Sequence, residues 1–252
     1  MLAIVDDWGN PEPGGKGTDW FGFAAVLLRD DQIDSMRYLY CEICRILGRS
    51  PTEPIHHKNL NLKNKYHITR QLADEKPAVS LIAVRVHAVT SSNLMRQGWA
   101  YRFYGKEMVR VSSHFASECN EAATVIFHRH KYSGGFDTYV WKKLPSNTWY
   151  NAKQISQRIS FPALQGISFL DDEDEPLLSF ADCIAHACHL ALNPDKQWKQ
   201  TNPSCLNLLS DCIWEGPSYC KNACLFGVQL EPEGIPTRLI PELPHAIRQY
   251  WE

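Results

Sequence analysis

The hydrophobic positions of the chain fall first into short apolar runs, which predict strands. Residues 2–6 and 20–28 form two such runs, which we expect to pair as a hairpin across a long connection rich in turn-forming residues. Residues 79–89 form a third run. Residues 122–128 form a fourth run that is almost entirely apolar, which is typical of a central strand. Residues 167–170 form the end of a fifth predicted strand.

Between these runs, apolar residues recur at the spacing of helices. Residues 29–47 are the clearest case, and Gly48 is a natural stop. The same argument predicts helices over 64–74, 93–119 and 177–190, and a short helix ending at Val140. Strands and helices alternate through most of this order, which indicates an α/β layer architecture.

The pattern weakens from Asn193 onward. Residues 193–252 contain four cysteines and, after Pro203, five prolines, which predicts an irregular C-terminal extension packed on a domain formed by residues 1–192. The four cysteines could hold a zinc ion, but their spacings of six, seven and three residues fit no common template of a zinc site.

Composition narrows the class of protein. The chain has 252 residues, of which 44% are hydrophobic, so it should fold around a core. Its 26 basic and 28 acidic side chains give a net charge of −2, so nucleic-acid binding would need a local basic patch. No apolar run reaches the length of a membrane span, and the start turns acidic too early for a signal peptide. We therefore expect a cytoplasmic protein, without membrane association and with reduced cysteines.

Two aspartates stand in unusual surroundings. Asp6 closes the first apolar strand, and Asp182 lies inside an apolar helix, where it shares a polar stripe with His186 and His189. Side chains alternate across a strand, so Asp6 and Asp7 should point to opposite faces. Asp6 and Asp182 could hold a divalent metal ion, or they could belong to a solvated strand end and an exposed helix face. The residues alone leave both interpretations open.

Three short motifs carry a resemblance to a known family. They are Asp6-Asp7-Trp8-Gly9-Asn10, then Ile55-His56-His57-Lys58-Asn59-Leu60, and then the helix segment from Leu177 to Ala185 around Asp182. Their order over residues 1–192 resembles domain-of-unknown-function family 3800, which has a ribonuclease-H-like fold. The resemblance implies a mixed five-stranded sheet flanked by helices. It also implies that acids from the first strand, the fourth strand and the last helix converge on one or two magnesium ions.

The chain departs from that family in two places. Asp7 stands where the family has a glutamate, and His128 ends the fourth strand where the fold often has an aspartate. Imidazole suits manganese better than magnesium. Three outcomes stay open: the site holds a single ion, activity has been lost, or another acid completes the site. The candidate acids are Asp7, Asp137, Asp171 and Asp172.

The resemblance thus implies a metal-dependent nuclease or related phosphodiester hydrolase that uses Mg or Mn. Asp6 and Asp182 would be metal ligands and catalytic residues, with Asp7 and His128 as further ligands. Lys58 would contact the phosphate or orient water, and His57 would carry a proton. Contacts to the nucleic-acid backbone would come from Arg129, Lys131, Lys142 and Lys143, with Trp141 stacking on a base.

Other functions are compatible with the same fold. The first is a non-catalytic binding or accessory subunit, for example in a prokaryotic defence, toxin or mobile-element system. The neutral charge and His128 favour it, and it implies a partner protein or a second copy of the chain. Another is hydrolysis of a small nucleotide, for which the modest charge is no handicap.

Overall fold

The fold is known from a computed structural model, which describes residues 1–10, 20–85, 99–130, 148–150, 156–158, 161–193, 200–214 and 228–231. Its strands are β1 (Leu2–Trp8), β2 (Trp20–Leu28), β3 (Ala78–Arg85), β4 (Ala123–His128), β5 (Thr148–Tyr150), β6 (Ser156–Arg158), β7 (Leu164–Leu170) and β8 (Val228–Glu231). Its α-helices are α1 (Ile33–Leu47), α2 (Leu62–Asp74), α3 (Trp99–Cys119), α4 (Leu178–Leu192) and α5 (Ser204–Leu208). Short 3-10 turns cover Asp30–Gln32, His57–Asn59 and Ser210–Cys212.

Six strands form one mixed sheet in the order β7-β4-β1-β2-β3-β8. The β1–β2 and β2–β3 pairs are antiparallel, whereas β1–β4, β4–β7 and β3–β8 are parallel. The five predicted strands are therefore confirmed as members of one sheet, the third of them as far as Arg85, since residues 86–89 lie outside the described residues. As expected, β1 and β2 pair directly. The sixth strand was not predicted: β8 comes from the C-terminal extension and lengthens the edge at β3.

Helices cover both faces of the sheet. One core cluster joins α1, α2, α4 and α5 to the even-numbered residues of β1, such as Ile4. The other joins α3 to the odd-numbered residues, such as Val5. The structure is thus a helix–sheet–helix sandwich, as the α/β pattern predicts, and the alternation along β1 decides which helix each side chain faces.

The helix boundaries follow local chemistry. Gly48 ends α1 in the left-handed conformation at φ 67°, where a residue without Cβ is favoured. The side chain of Asn61 accepts a hydrogen bond from the Asn64 N–H, which caps α2 and starts it two residues before the predicted helix. Of the helix expected over 93–119, the part from Trp99 is observed. Residues 93–98 and the short helix ending at Val140 lie outside the described residues.

The C-terminal extension contacts the sheet at its β3 edge. Ile213 forms a parallel bridge with Val79, and the Trp214 N–H donates to the Val79 carbonyl at 2.9 Å. Helix α5 packs against α2 and α4. Among the described helices, none combines the length and apolar character that crossing a membrane requires.

Candidate active site

The first and fourth strands bring Asp6 and His128 together. β1 and β4 are parallel neighbours, so their carboxyl ends meet at one edge of the sheet. Asp6 pairs in register with Ala24, a residue of the core cluster under α4, and Ile126 of β4 faces the same cluster. His128, two residues after Ile126, therefore points to the same side as Asp6. Its Nδ1 lies 3.3 Å from Asp6 Oδ1.

A second carboxylate reaches the opposite nitrogen of this imidazole. Asp172 lies just after β7, is 8% exposed, and places Oδ2 3.7 Å from His128 Nε2. The same oxygen lies 3.4 Å from His56 Nδ1. Burial raises the pKa of Asp172, while the two histidines act in the other direction. Of the three candidate acids that the structure describes, Asp7, Asp171 and Asp172, it is Asp172 that lies within ion-pair distance of His128.

Helix α4 brings Asp182 towards this edge. The helix packs on β1 and β2, and Asp182 Oδ2 accepts a hydrogen bond of 2.6 Å from the backbone N–H of His57. Burial, together with the charge of Asp6, raises the pKa of Asp182 to about 6. Asp6 and Asp182, 176 positions apart in sequence, are thus within electrostatic reach of each other. We call Asp6, His128, Asp172 and Asp182 the Asp–His cluster.

The charge balance of the cluster depends on His128. Its hydrogen bond to Asp6 raises its pKa to about 9, against an opposing effect of burial, so the ring is an imidazolium at neutral pH. This cation lies between Asp6 and Asp172. Over the described part of the chain, no three His, Cys, Asp or Glu side chains are arranged as a ready-made metal site. The His128 imidazolium thus supplies positive charge between two carboxylates.

Asp7 is placed on the other side of the strand. It pairs in register with Phe23, which belongs to the core cluster under α3. Burial, and then the nearby charge of Asp6, raise the pKa of Asp7 to about 7. Asp6 and Asp7 thus point to opposite faces of β1, as predicted, and the structure does not bring Asp7 to the side of the Asp–His cluster.

The second motif contributes through its backbone. His57 is 1% exposed, and burial lowers the pKa of its ring to about 3, so it stays neutral through the physiological range. Its role as a proton carrier near neutral pH stays a prediction, and the desolvation of the ring opposes it. Its N–H instead positions Asp182. Lys58 follows it in the same 3-10 turn and is exposed.

The predicted nucleic-acid contacts are only partly described. Arg129 Nη1 lies 2.6 Å from Asp171 Oδ2, and its Nη2 donates to the Phe169 carbonyl, so this guanidinium is engaged by the end of the neighbouring strand β7. Asp171 is thereby committed to Arg129 and not to His128. The other residues of the predicted patch and the remaining candidate acid lie outside the described residues: Lys131, Lys142, Lys143, Trp141 and Asp137.

Two residues of this region were missed by sequence reasoning. His56, which pairs with Asp172, stands directly before the buried His57, and the doubled histidine was the signal that could have indicated it. Lys65 on α2 was also missed: its Nζ lies 2.9 Å from His186 Nε2. No single-sequence pattern links positions so far apart, since only packing of α2 on α4 brings them together.

Comparison with known proteins adds no family assignment: the chain matches no protein-family model and no curated protein at a significant level.

Proposed function

We propose that the chain is a ribonuclease-H-like, metal-dependent phosphodiester hydrolase that acts on nucleic acid, related to domain-of-unknown-function family 3800. The observation that carries this proposal is that Asp6 and Asp172 flank His128 at 3.3 and 3.7 Å, at the carboxyl ends of two parallel central strands, with Asp182 near enough for their charges to raise its pKa. Three half-buried or buried carboxylates from β1, the segment after β7, and α4 carry more negative charge than the one imidazolium of His128 balances, so a bound cation would lower the cost of bringing them together. The placement of β1 beside β4, with α4 packed on β1, supports the ribonuclease-H-like interpretation of the fold.

The donor set fits a hard divalent cation. Carboxylate oxygens are the ligands preferred by Mg²⁺ and Mn²⁺, and the raised pKa values of Asp172 and Asp182 indicate too little counter-charge for both to be fully ionised. Asp6 and Asp182 would hold the ion, with Asp172 beside them. His128 limits the room for a second ion, because its ring already lies between Asp6 and Asp172. We therefore favour a single ion.

The chain's own residues account for the rest of the mechanism. A bound Mg²⁺ or Mn²⁺ would supply an activated water and neutralise charge on the phosphate. The His57 N–H fixes the rotamer of Asp182, so that the carboxylate does not need reorienting. The His128 imidazolium, at the edge of the cluster and one-third exposed, can donate a proton to the departing oxygen. Lys58, exposed in the same 3-10 turn as His57, would meet phosphate from the solvent side.

The proposal is tested by titrating Mn²⁺ and Mg²⁺ into the protein by calorimetry. We expect binding that is lost in Asp6→Asn and Asp182→Asn and is retained in Asp174→Asn, an exposed carboxylate of the same acidic loop that holds Asp172. Incubation with labelled single-stranded, double-stranded and hybrid substrates, with mononucleotides alongside, then reports cleavage. Absence of metal binding that depends on these acids would overturn the proposal.

One observation favours a second candidate, a non-catalytic binding or accessory subunit that keeps the fold. His128 pairs with both Asp6 and Asp172, so an internal cation can replace a metal ion structurally. Under this alternative, His128→Gln destabilises the fold without opening a metal site. Under the hydrolase proposal, the same variant binds Mn²⁺ at least as tightly as wild type, because a competing positive charge has been removed.

A further inference from the structure

A second polar group lies one helical turn beyond Asp182. Helix α4 presents His186 there, and Lys65 from α2 approaches it with a distance of 2.9 Å between Lys65 Nζ and His186 Nε2. Both side chains are half-buried. The ring of His57 lies on the same side, with its centroid 6.3 Å from that of His186. This group is separate from the Asp–His cluster but shares α4 with it.

Hydrogen-bond accounting shows what the pair offers to a ligand. An ammonium only donates, so His186 Nε2 must accept from Lys65, and the proton of the neutral ring sits on Nδ1. Burial and the charge of Lys65 keep His186 neutral, lowering its pKa to about 4. Lys65 retains two further N–H groups and His186 retains Nδ1–H. The pair therefore supplies three donors, one positive charge and no free acceptor.

Among the described residues, no further hydrogen bond takes up this donor capacity. In that part of the chain no carboxylate lies within ion-pair distance of Lys65; its ammonium is hydrogen-bonded to His186, and the charge of Asp182 acts on it from farther away. His57 Nε2 is buried and has no hydrogen-bond partner in the same part of the chain. A buried polar atom left unpaired is costly, so such atoms in native proteins generally meet water or a ligand. An ammonium and an imidazole N–H together are the donors that recognise an oxyanion.

We propose that Lys65 and His186 form a binding subsite for a phosphate group of a nucleic-acid strand, next to the phosphate at the Asp–His cluster. His186 follows Asp182 by four residues, about 6 Å along the helix axis. This distance is of the order of the spacing between neighbouring phosphates along one strand. The subsite thus gives a polymeric substrate a second anchor that a mononucleotide cannot reach. This inference rests on the proposed function, because it assumes a phosphodiester at the acidic residues.

The test measures binding apart from cleavage. Fluorescence anisotropy with a labelled 12-nucleotide single strand, in EDTA and in the Asp6→Asn background, compares Lys65→Gln and His186→Gln with two controls. The controls are Lys63→Gln and His67→Gln, which remove an exposed lysine and an exposed histidine from the same helix. Lys65→Arg keeps the positive charge at this position. Circular dichroism of each variant shows whether loss of folding explains a change in binding affinity.

We expect Lys65→Gln to weaken binding about tenfold, as for a hydrogen bond to a charged group. It should also reduce the slope of log K against log salt by about 0.7, the value for one phosphate contact on a single strand. Lys65→Arg and the two controls should stay within about twofold of the parent. Equal affinities for Lys65→Gln and Lys63→Gln would overturn the subsite, and so would a wild-type protein that binds no oligonucleotide.

Failure of the subsite and failure of the proposed function give different results. Manganese-dependent cleavage that is lost in Asp6→Asn, with binding indifferent to Lys65, overturns the subsite alone. Binding that depends on Lys65, with no cleavage by the wild type in Mn²⁺, overturns the hydrolase proposal and leaves a nucleic-acid-binding protein that uses the subsite.

Discussion

The charge of His128 should make the stability of this protein depend on pH in a defined direction. The hydrogen bond to Asp6 raises the pKa of His128 from an ordinary 6.5 to about 9. Because the folded-state value lies above the unfolded one, the stabilisation is fully present below pH 6.5 and is lost as the pH rises through 9. Replacing His128 by glutamine removes this contribution while keeping a polar side chain.

The magnitude follows from the size of that rise. A change from 6.5 to about 9 corresponds to about 3.4 kcal/mol if fully expressed. The side chain is 34% exposed, so solvent screens the interaction, and we expect about 1.5 kcal/mol. His128→Gln should therefore be more destabilised, relative to wild type, at pH 6 than at pH 10 by about this amount.

Urea unfolding at pH 6, 8 and 10 measures the difference, and an NMR titration of the imidazole gives its midpoint directly. Asp6→Asn should lower that midpoint more than Asp172→Asn, since Asp6 makes the closer contact, 3.3 Å against 3.7 Å. His67→Gln, at an exposed position of α2, is the control and should change stability by less than about 0.5 kcal/mol at every pH. A midpoint near 6.5, or a destabilisation that does not change with pH, would refute the reasoning.

Two further predictions concern the stability of the fold, one at the candidate site and one where two strands of the sheet pack closely. Asp182→Asn should raise the free energy of unfolding by about 1 kcal/mol at pH 7.5, because a carboxylate whose pKa is raised to about 6 opposes folding when it is ionised. The gain should vanish below pH 3.8, where the carboxyl group is protonated in both states. Urea unfolding that shows a loss of stability at pH 7.5 would contradict this. Gly22→Ala should cost about 3 kcal/mol or more in a thermal melt, because a Cβ at Gly22 would lie 1.8 Å from the Ile82 carbonyl oxygen. Gly166→Ala, with no atom within 4 Å of its Cβ, is the matched control, and equal melting temperatures for the two variants would count against the packing argument.

The strands and helices were predictable because their signals are local. The apolar run over 20–28 corresponds residue for residue to β2, and the helical spacing before Gly48 gives the end of α1 correctly. Both depend on periods of two or 3.6 residues that a short window contains. β8 was missed for the same reason: its four residues carry too little pattern, and it exists through pairing with β3.

The candidate site likewise has features that local sequence predicts and contacts that only the fold creates. Sequence alone set Asp6 and Asp7 on opposite faces of a strand and gave Asp182 its place on a polar stripe with His186, since these relations are fixed by backbone geometry. It also indicated that His128 changes the charge of the site.

Only the tertiary structure decided which groups meet. Parallel pairing of β1 and β4 placed Asp6 against His128. The segment after β7 brought Asp172, rather than Asp7 or Asp171, to the same ring, and packing of α2 on α4 joined Lys65 to His186. These contacts cross more than forty residues of chain each, and they arise because separate apolar faces are buried against one sheet. Burial then set the protonation states, including the neutral ring of His57. Neither the partners nor the desolvation is encoded at any one position, so the charge state of the site is a property of the fold.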